Sequence, residues 1–448
     1  MLYHAKWLVP VSSPSIEDGV VGVEHGRITY VGPAAGAPPG DRVDLGDCAL
    51  LPGLVNTHTH LELTVMRGWL EDLPFRRWVI RLTKARQEIL DRERLLASAR
   101  VGIAEGLLAG ITTYADTCES GVVHQALREM GVRGVMYLEV FGPQPEQARP
   151  ALKDLASKVS KHRALDTPLV RTGISPHAPF SVSDALFTGA GEMALAEKLP
   201  VAIHAAESEA EHRLVTEAEG DFADALRARS IDVLPRGVST ISLLDRTRVL
   251  KARPLLIHCV RVDADDLGRI ADHDCSVAHC PASNAKLGHG SADLAAMLDA
   301  GIVVGLGTDS VASNNRMDLL DEARLAALFA RASHRRYDVI PAATAIDLTT
   351  RGGARALGLD TEIGTLEVGK SADLAAFPLD GLHAIPIQDP QSALLYATSG
   401  RGAKLVTVNG RELVRNGQLT IDISESVESI RSAAADLANK TGSDAVSH

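Results

Sequence analysis

Between Pro52 and Ala356 the chain alternates short apolar runs with longer stretches whose apolar residues recur at helical spacing. The short runs are "LVNTHTH", "ITTYADT", "RGVMYLEVF", "VRTGISPHA", "PVAIHAAES", "PLLIHCV", "CSVAHCP" and "IVVGLGTDS". Segments such as "SDALFTGAGEMALAEKL" and "DADDLGRIADH" follow them. Eight such strand–helix units in roughly 300 residues predict an α/β fold, a closed (β/α)8 TIM barrel. The rival is an open doubly wound sheet. It should carry a glycine-rich phosphate turn after its first strand, where "HTHLEL" stands instead.

The two ends of the chain read differently. "GVVGVEHGRITYVGP" has the pattern of a β-hairpin. After the barrel-like region come "IGTLEVGKSADLAAF" and "AKLVTVNGRELVRNG", and the pair Asn409-Gly410 is a strong two-residue hairpin signal. Residues 1–51 and 366–423 are therefore expected to pair into a composite β-sandwich. Residues 52–365 form the barrel, and 424–448 a C-terminal surface helix with a mobile polar tail.

Composition narrows the function. The chain has 448 residues, 45% hydrophobic and 23% charged, close to the globular average. A net charge of −11 argues against nucleic-acid binding, which needs a concentrated basic surface. No segment reaches the ~18 apolar residues of a membrane span, and the N-terminal apolar stretch is broken by Pro10. Five cysteines without a disulfide-like pattern fit reduced thiols in a cytoplasmic enzyme. Oligomeric state is not legible, although a homodimer is the commonest choice.

The chemistry lies at the ends of the predicted strands, where a barrel carries its site. His58 and His60 end the first, His177 follows the fourth, His204 lies on the fifth, His258 on the sixth and Asp309 on the eighth. His4, His25, His124, His162, His273, His334, His383 and His448 have no such placement and read as structural or surface residues. Three imidazoles and a carboxylate suit one Zn2+ or Fe2+ with a position left for water. Glu207, three residues beyond His204, stands where its carboxylate can take a proton from that water and pass it to a leaving group.

Taken in order, "LPGLVNTHTH", "EDLPFRRWV", "GITTYADT", "SPHAPFSVS", "IHAAES", "HCVRVD", "HCPASNAKLG" and "GLGTDSVASNN" resemble the amidohydrolase superfamily. The similarity is to its cytosine, guanine and S-adenosylhomocysteine deaminase branch. The resemblance implies a (β/α)8 barrel with a β-sandwich built from both termini. It implies that His58, His60, His204 and Asp309 bind one divalent metal, with Glu207 as proton shuttle. His258 would contact the attacking water, and Asp309 would also accept a proton. Binuclear members carry a bridging lysine at the end of the fourth strand; "LVRTGISPHAP" has none, which favours one metal per chain.

The implied reaction is hydrolytic deamination of an aromatic heterocycle, a small-molecule substrate, with release of ammonia. Glu71 would hold ribose hydroxyls, His177 would face the heterocycle or its sugar, and Ser313 and Asn314 would line the pocket or cap the next helix. Glu62 is expected behind the metal ligands. Glu139 stands at the end of the third strand, where S-adenosylhomocysteine deaminases tend to place arginine, so an acid argues against an anionic tail there. With "HTHLEL" and "IHAAES", this looks more like the aminodeoxyfutalosine deaminases, which act on an adenine nucleoside. Guanine, pterin and triazine enzymes, the last including chlorohydrolases, share the scaffold. A non-catalytic scaffold protein should have lost a ligand or the shuttle acid, and this chain retains all of them.

Overall fold

The computed structural model of the chain describes residues 1–398, 400 and 402–444. Its centre is a ring of eight parallel strands. They are β1 (Leu54–Thr59), β2 (Ile111–Cys118), β3 (Arg133–Val140), β4 (Val170–Pro176), β5 (Ala202–Ala205), β6 (Leu255–His258), β7 (Ser276–His279) and β8 (Val303–Leu306). β1 to β4 form one continuous parallel ladder and β5 to β8 another. A bridge between Ile174 and Val201 joins β4 to β5, and one between Thr59 and Asp309 joins β1 to the end of β8. At that second seam the Asp309 amide donates to the His58 carbonyl at 3.0 Å. The ring is the predicted barrel, and β2 is buried along its whole length, as a strand covered on both faces must be.

The apolar run Ala49–Val55 is divided between the two parts of the fold. Cys48–Pro52 belongs to the terminal sheet, and the barrel begins at Leu54. Gly53 makes the break, because a Cβ there would lie 2.3 Å from the Thr112 side chain.

Both chain ends build one nine-stranded sheet. Its halves meet where Cys48–Pro52 pairs antiparallel with Leu374–Pro378. Leu2–Leu8 runs beside Ile16–Glu24 on one edge and beside both Arg42–Asp44 and Cys48–Pro52 on the other. A second apolar cluster including Tyr3, Leu8, Ile28, Leu50, Leu374 and Leu405 is its core. The two hairpins turn through His25-Gly26 and Asn409-Gly410. All four residues have positive φ, between 48° and 78°, as two-residue hairpin turns of this twist require. Of "IGTLEVGKSADLAAF", only its end enters a strand.

The helix Ser424–Asp444 is a surface helix with one buried face. Ala433 and Leu437 are buried, and the helix packs on Arg92–Leu108. Residues 445–448, including His448 and the end of the expected tail, lie outside the described residues. All five cysteines are free and buried. No described helix is long and apolar enough to cross a membrane.

Barrel and terminal sheet are tied by a buried ion pair. Arg133, at the start of β3, donates to both Asp373 oxygens at 2.8 and 3.2 Å and to Ser371 Oγ at 3.0 Å. Removing one partner leaves an uncompensated buried charge. Arg133→Ala is expected to cost about 3–5 kcal/mol in urea denaturation; a loss under about 1 kcal/mol would show that this joint does not hold the two parts together.

Candidate active site

The barrel collects the polar strand ends at one rim. His58 lies one residue before the end of β1 and His60 just beyond it, and their rings meet edge to face. The His58 ring centroid is 4.8 Å from that of His60 and 4.9 Å from that of His204. The ligand atoms of His58, His60 and His204 lie within 4.8 Å of one another, and those of His58, His258 and Asp309 do the same. Asp309 Oδ1 stands 3.1 Å from His58 Nε2 and 3.5 Å from His60 Nε2.

Neighbouring groups fix how these side chains point. His204 Nδ1 faces the His177 carbonyl at 3.2 Å; donating its proton there leaves Nε2 free for a ligand. His258 Nδ1 meets Asn284 Oδ1 at 2.9 Å. Asp309 Oδ2 accepts from Ser283 Oγ at 2.5 Å and Ser313 Oγ at 3.1 Å, which turns Oδ1 to the histidines. Asp116 brackets His60, accepting from Thr59 Oγ1 at 2.8 Å and the Leu61 amide at 2.6 Å. Ala206, His258, Cys259 and Asp309 all have φ between 48° and 76° at strand ends. Strained non-glycine backbone of this kind gathers at functional sites.

Burial, helped by neighbouring imidazoles, pushes His60 down to about 3 and His204 well below its ordinary range, so both are neutral. Burial opposes ionisation of Asp309, but the surrounding imidazoles outweigh it and hold the carboxyl well below its ordinary value. His58 Nε2 is buried, with Asp309 Oδ1 3.1 Å away but out of line for a well-formed hydrogen bond. Neutral imidazoles converging on an ionised carboxylate fit a divalent metal ion.

Beside this cluster opens a cavity of about 740 Å3. Its walls include the aromatic rings of Phe75, Trp78, Phe141, Phe180 and Phe222. Phe180 and Phe222 stack with centroids 4.2 Å apart. Glu207 also faces the cavity, its Oε1 3.7 Å from His258 Nε2 and 3.5 Å from His289 Nε2. Burial works against its charge, yet His258 and His289 hold the carboxyl below its ordinary value.

Comparison with known proteins agrees with this geometry. Residues 49–413 match the pattern of the amidohydrolase family. The chain belongs to that family. It is 34% identical over 424 residues to a 5-methylthioadenosine/S-adenosylhomocysteine deaminase from Moorella thermoacetica, covering 93% of this chain and 95% of that one. A solved adenosine deaminase from Xanthomonas campestris, with bound zinc, superposes with a TM-score of 0.86 at 28% identity and covers 98% of both chains. An atrazine chlorohydrolase from Arthrobacter aurescens, complexed with zinc, has a TM-score of 0.84 over 97% of this chain and 99% of that one. Its 24% identity shows a shared amidohydrolase fold alone.

Among the expected substrate contacts, His177 and Glu139 do line the cavity. Three others do not. Glu71 is held by Lys286 Nζ and Asn315 Nδ2, both at 2.8 Å, with its side chain 37% exposed away from the cavity wall. Ser313 is turned to Asp309. Asn314 donates to the Thr308 carbonyl at 2.7 Å and to Glu322 at 2.5 Å, behind the site. The caps of the flanking helices are Ser310 and Asp318.

Glu62 is not on a continuing strand; residues Leu61–Met66 form a tight helical turn. Its buried carboxylate meets Arg86 at 2.8 Å and Ser120, and Arg86 also pairs with Glu119. Sequence reading missed Arg86, Asn284 and His289. Asn284 lay inside a recognised motif, "HCPASNAKLG", whereas His289 stands between two glycines with no periodic signal.

Glu71→Ala is expected to leave KM within about twofold and stability within about 1 kcal/mol, since exposed ion pairs contribute little; a large rise in KM for a nucleoside would return Glu71 to the pocket. Glu139 gives a pH prediction. Burial, reinforced by Glu62, raises it from 4.5 to about 8. The folded chain keeps this proton through that window while the unfolded chain loses it. The group's stabilising contribution is thus full below pH 4.5 and is lost as pH rises through 8. Glu139→Gln should flatten the fall in stability across that window, measured by denaturation at several pH values; an unaltered slope would count against the shift.

Proposed function

We propose that this chain is a zinc-dependent aminohydrolase, with one ion per chain, that removes the exocyclic amine of an adenine nucleoside and releases ammonia. The observation that carries the reading is Glu207, facing an aromatic-walled cavity beside a three-histidine, one-aspartate donor set. His58, His60, His204 and Asp309 would hold the ion, which when bound supplies a water acidified toward a pKa of ~7.

The chain's own groups account for the rest. Asp309 Oδ1, left open by the serine bonds on Oδ2, can receive a proton. Glu207 takes one proton from the attacking water and delivers it to the ring nitrogen beside the amine-bearing carbon; the water's second proton, received by Asp309, then passes through Glu207 to the amine as its C–N bond breaks. His258, with Nδ1–H committed to Asn284, presents Nε2 as an acceptor to the developing hydroxyl. The paired rings of Phe180 and Phe222 offer faces for a heterocycle. The cavity volume lies in the range that encloses a drug-sized ligand, so a nucleoside with a 5′ substituent fits better than a bare base. The relatives named as 5-methylthioadenosine/S-adenosylhomocysteine deaminases support the same substrate class.

Glu207→Gln is expected to retain the metal but lose about 10³-fold or more in kcat; unchanged turnover would remove Glu207 from the proton path. The substrate class is tested by release of ammonia, or chloride, from a panel. It comprises adenosine, 5-methylthioadenosine, S-adenosylhomocysteine, aminodeoxyfutalosine, guanine, pterins and chlorotriazines. Adenine nucleosides should give ammonia with the highest kcat/KM, and their inertness would sink the proposal.

A further inference from the structure

Glu207 sits in a three-residue link, Ala206 to Ser208, between β5 and the helix Glu209–Glu217. Ala206 has φ 53°, a left-handed conformation that is disfavoured for a non-glycine residue. Something must hold the link in that shape.

The structure offers a specific clamp. Glu211, fully buried on the following helix, accepts from the Ala206 amide at 2.7 Å through Oε1. The same oxygen accepts from Thr240 Oγ1 at 2.7 Å, at the start of the helix Thr240–Arg246. In return the Glu211 amide donates to Ser208 Oγ at 3.2 Å, and the Ala206 carbonyl accepts from the Arg261 amide at 2.8 Å. In an ordinary capping box the acid three residues into the helix reaches back to the amide of the capping residue itself. That residue is Ser208. Glu211 passes over it to Ala206 and so closes a ring around Glu207. Its other oxygen, Oε2, is buried, and the carboxyl group also feels the backbone amide of Glu207 itself. A carboxylate that served only the helix end would need neither the burial nor the contact with Thr240.

We propose that Glu211 is a positioning residue whose Oε1 clamps the Ala206 amide and thereby aims Glu207 at the protons it moves. This rests on the reading of Glu207 as proton carrier. A displacement of about 1 Å at such a group can lower the rate ~100-fold without loosening substrate.

The test compares wild type with Glu211→Ala and Glu211→Gln, using the best adenine nucleoside of the panel. Glu211→Ala should lower kcat about 100-fold, with metal content unchanged and KM within about threefold. Glu211→Gln keeps a carbonyl oxygen for both bonds and should restore kcat to within about threefold of wild type. Affinity for a coformycin-type analogue should fall in step with kcat, whereas affinity for the inosine-type product should hold. Should Glu211→Ala fail to fold, Glu211→Asp, which withdraws the carboxylate by one methylene, replaces it with the same expected outcomes. Full kcat in the Ala or Asp variant, or a Gln variant as slow as the Ala one, overturns the clamp. A wild-type chain inert toward every nucleoside refutes the proposed reaction itself, so the two failures are distinct.

Discussion

Everything at the site depends on closing the barrel between β1 and β8. The Asp309 amide on the His58 carbonyl is one backbone hydrogen bond, 3.0 Å long, between residues 251 positions apart. It brings the only carboxylate among the proposed ligands to the histidine pair. Without closure the ends of β1 and β8 would be the two edges of an open sheet. With it, His58, His60, His204, His258 and Asp309 all face one small volume. Long loops make such closure slow to form but do little to weaken it, because loop entropy grows only logarithmically with length.

A second constraint is how these side chains are held once together. The barrel uses buried carboxyl groups behind the rim. Asp116 holds the Thr59 hydroxyl and the Leu61 amide on either side of His60, and Glu211 holds Ala206 next to Glu207. Glu322 anchors the Ala282 amide and Asn314, near the serines that orient Asp309. Burial raises Asp116 well above its ordinary range, Glu211 to about 7 and Glu322 to about 8. Such groups can stay neutral near neutral pH. A neutral carboxyl can orient a neighbour without adding a charge that would compete with Asp309 and Glu207.

The elements that cover the cavity differ from the barrel in kind. The helix Phe75–Glu88 has one fully buried residue, Ala85, yet Phe75, Trp78 and Leu82 line the cavity from it. Its inward charged link is Arg86, which meets Glu62 and Glu119.

The sequence by itself determined the eight strands, a hairpin within "GVVGVEHGRITYVGP", the hairpin turn at Asn409-Gly410, and the strand-end histidines. Those features are local: apolar runs, φ-permissive dipeptides and the two-residue strand repeat are written in neighbouring residues. It offered Glu71 as a ribose contact and Ser313 and Asn314 as pocket or cap residues, whereas Glu71 is held by Lys286 and Asn315, Ser313 by Asp309, and Asn314 by Thr308 and Glu322. Lys286 is 215 positions from Glu71, and no local pattern announces such a contact. His289 and Arg86 were missed for the same reason, since each acquires its meaning only from the acid it meets. Tertiary structure alone decided which polar groups turn toward the cavity and which turn behind it, because that choice is made by packing between segments that the sequence keeps apart.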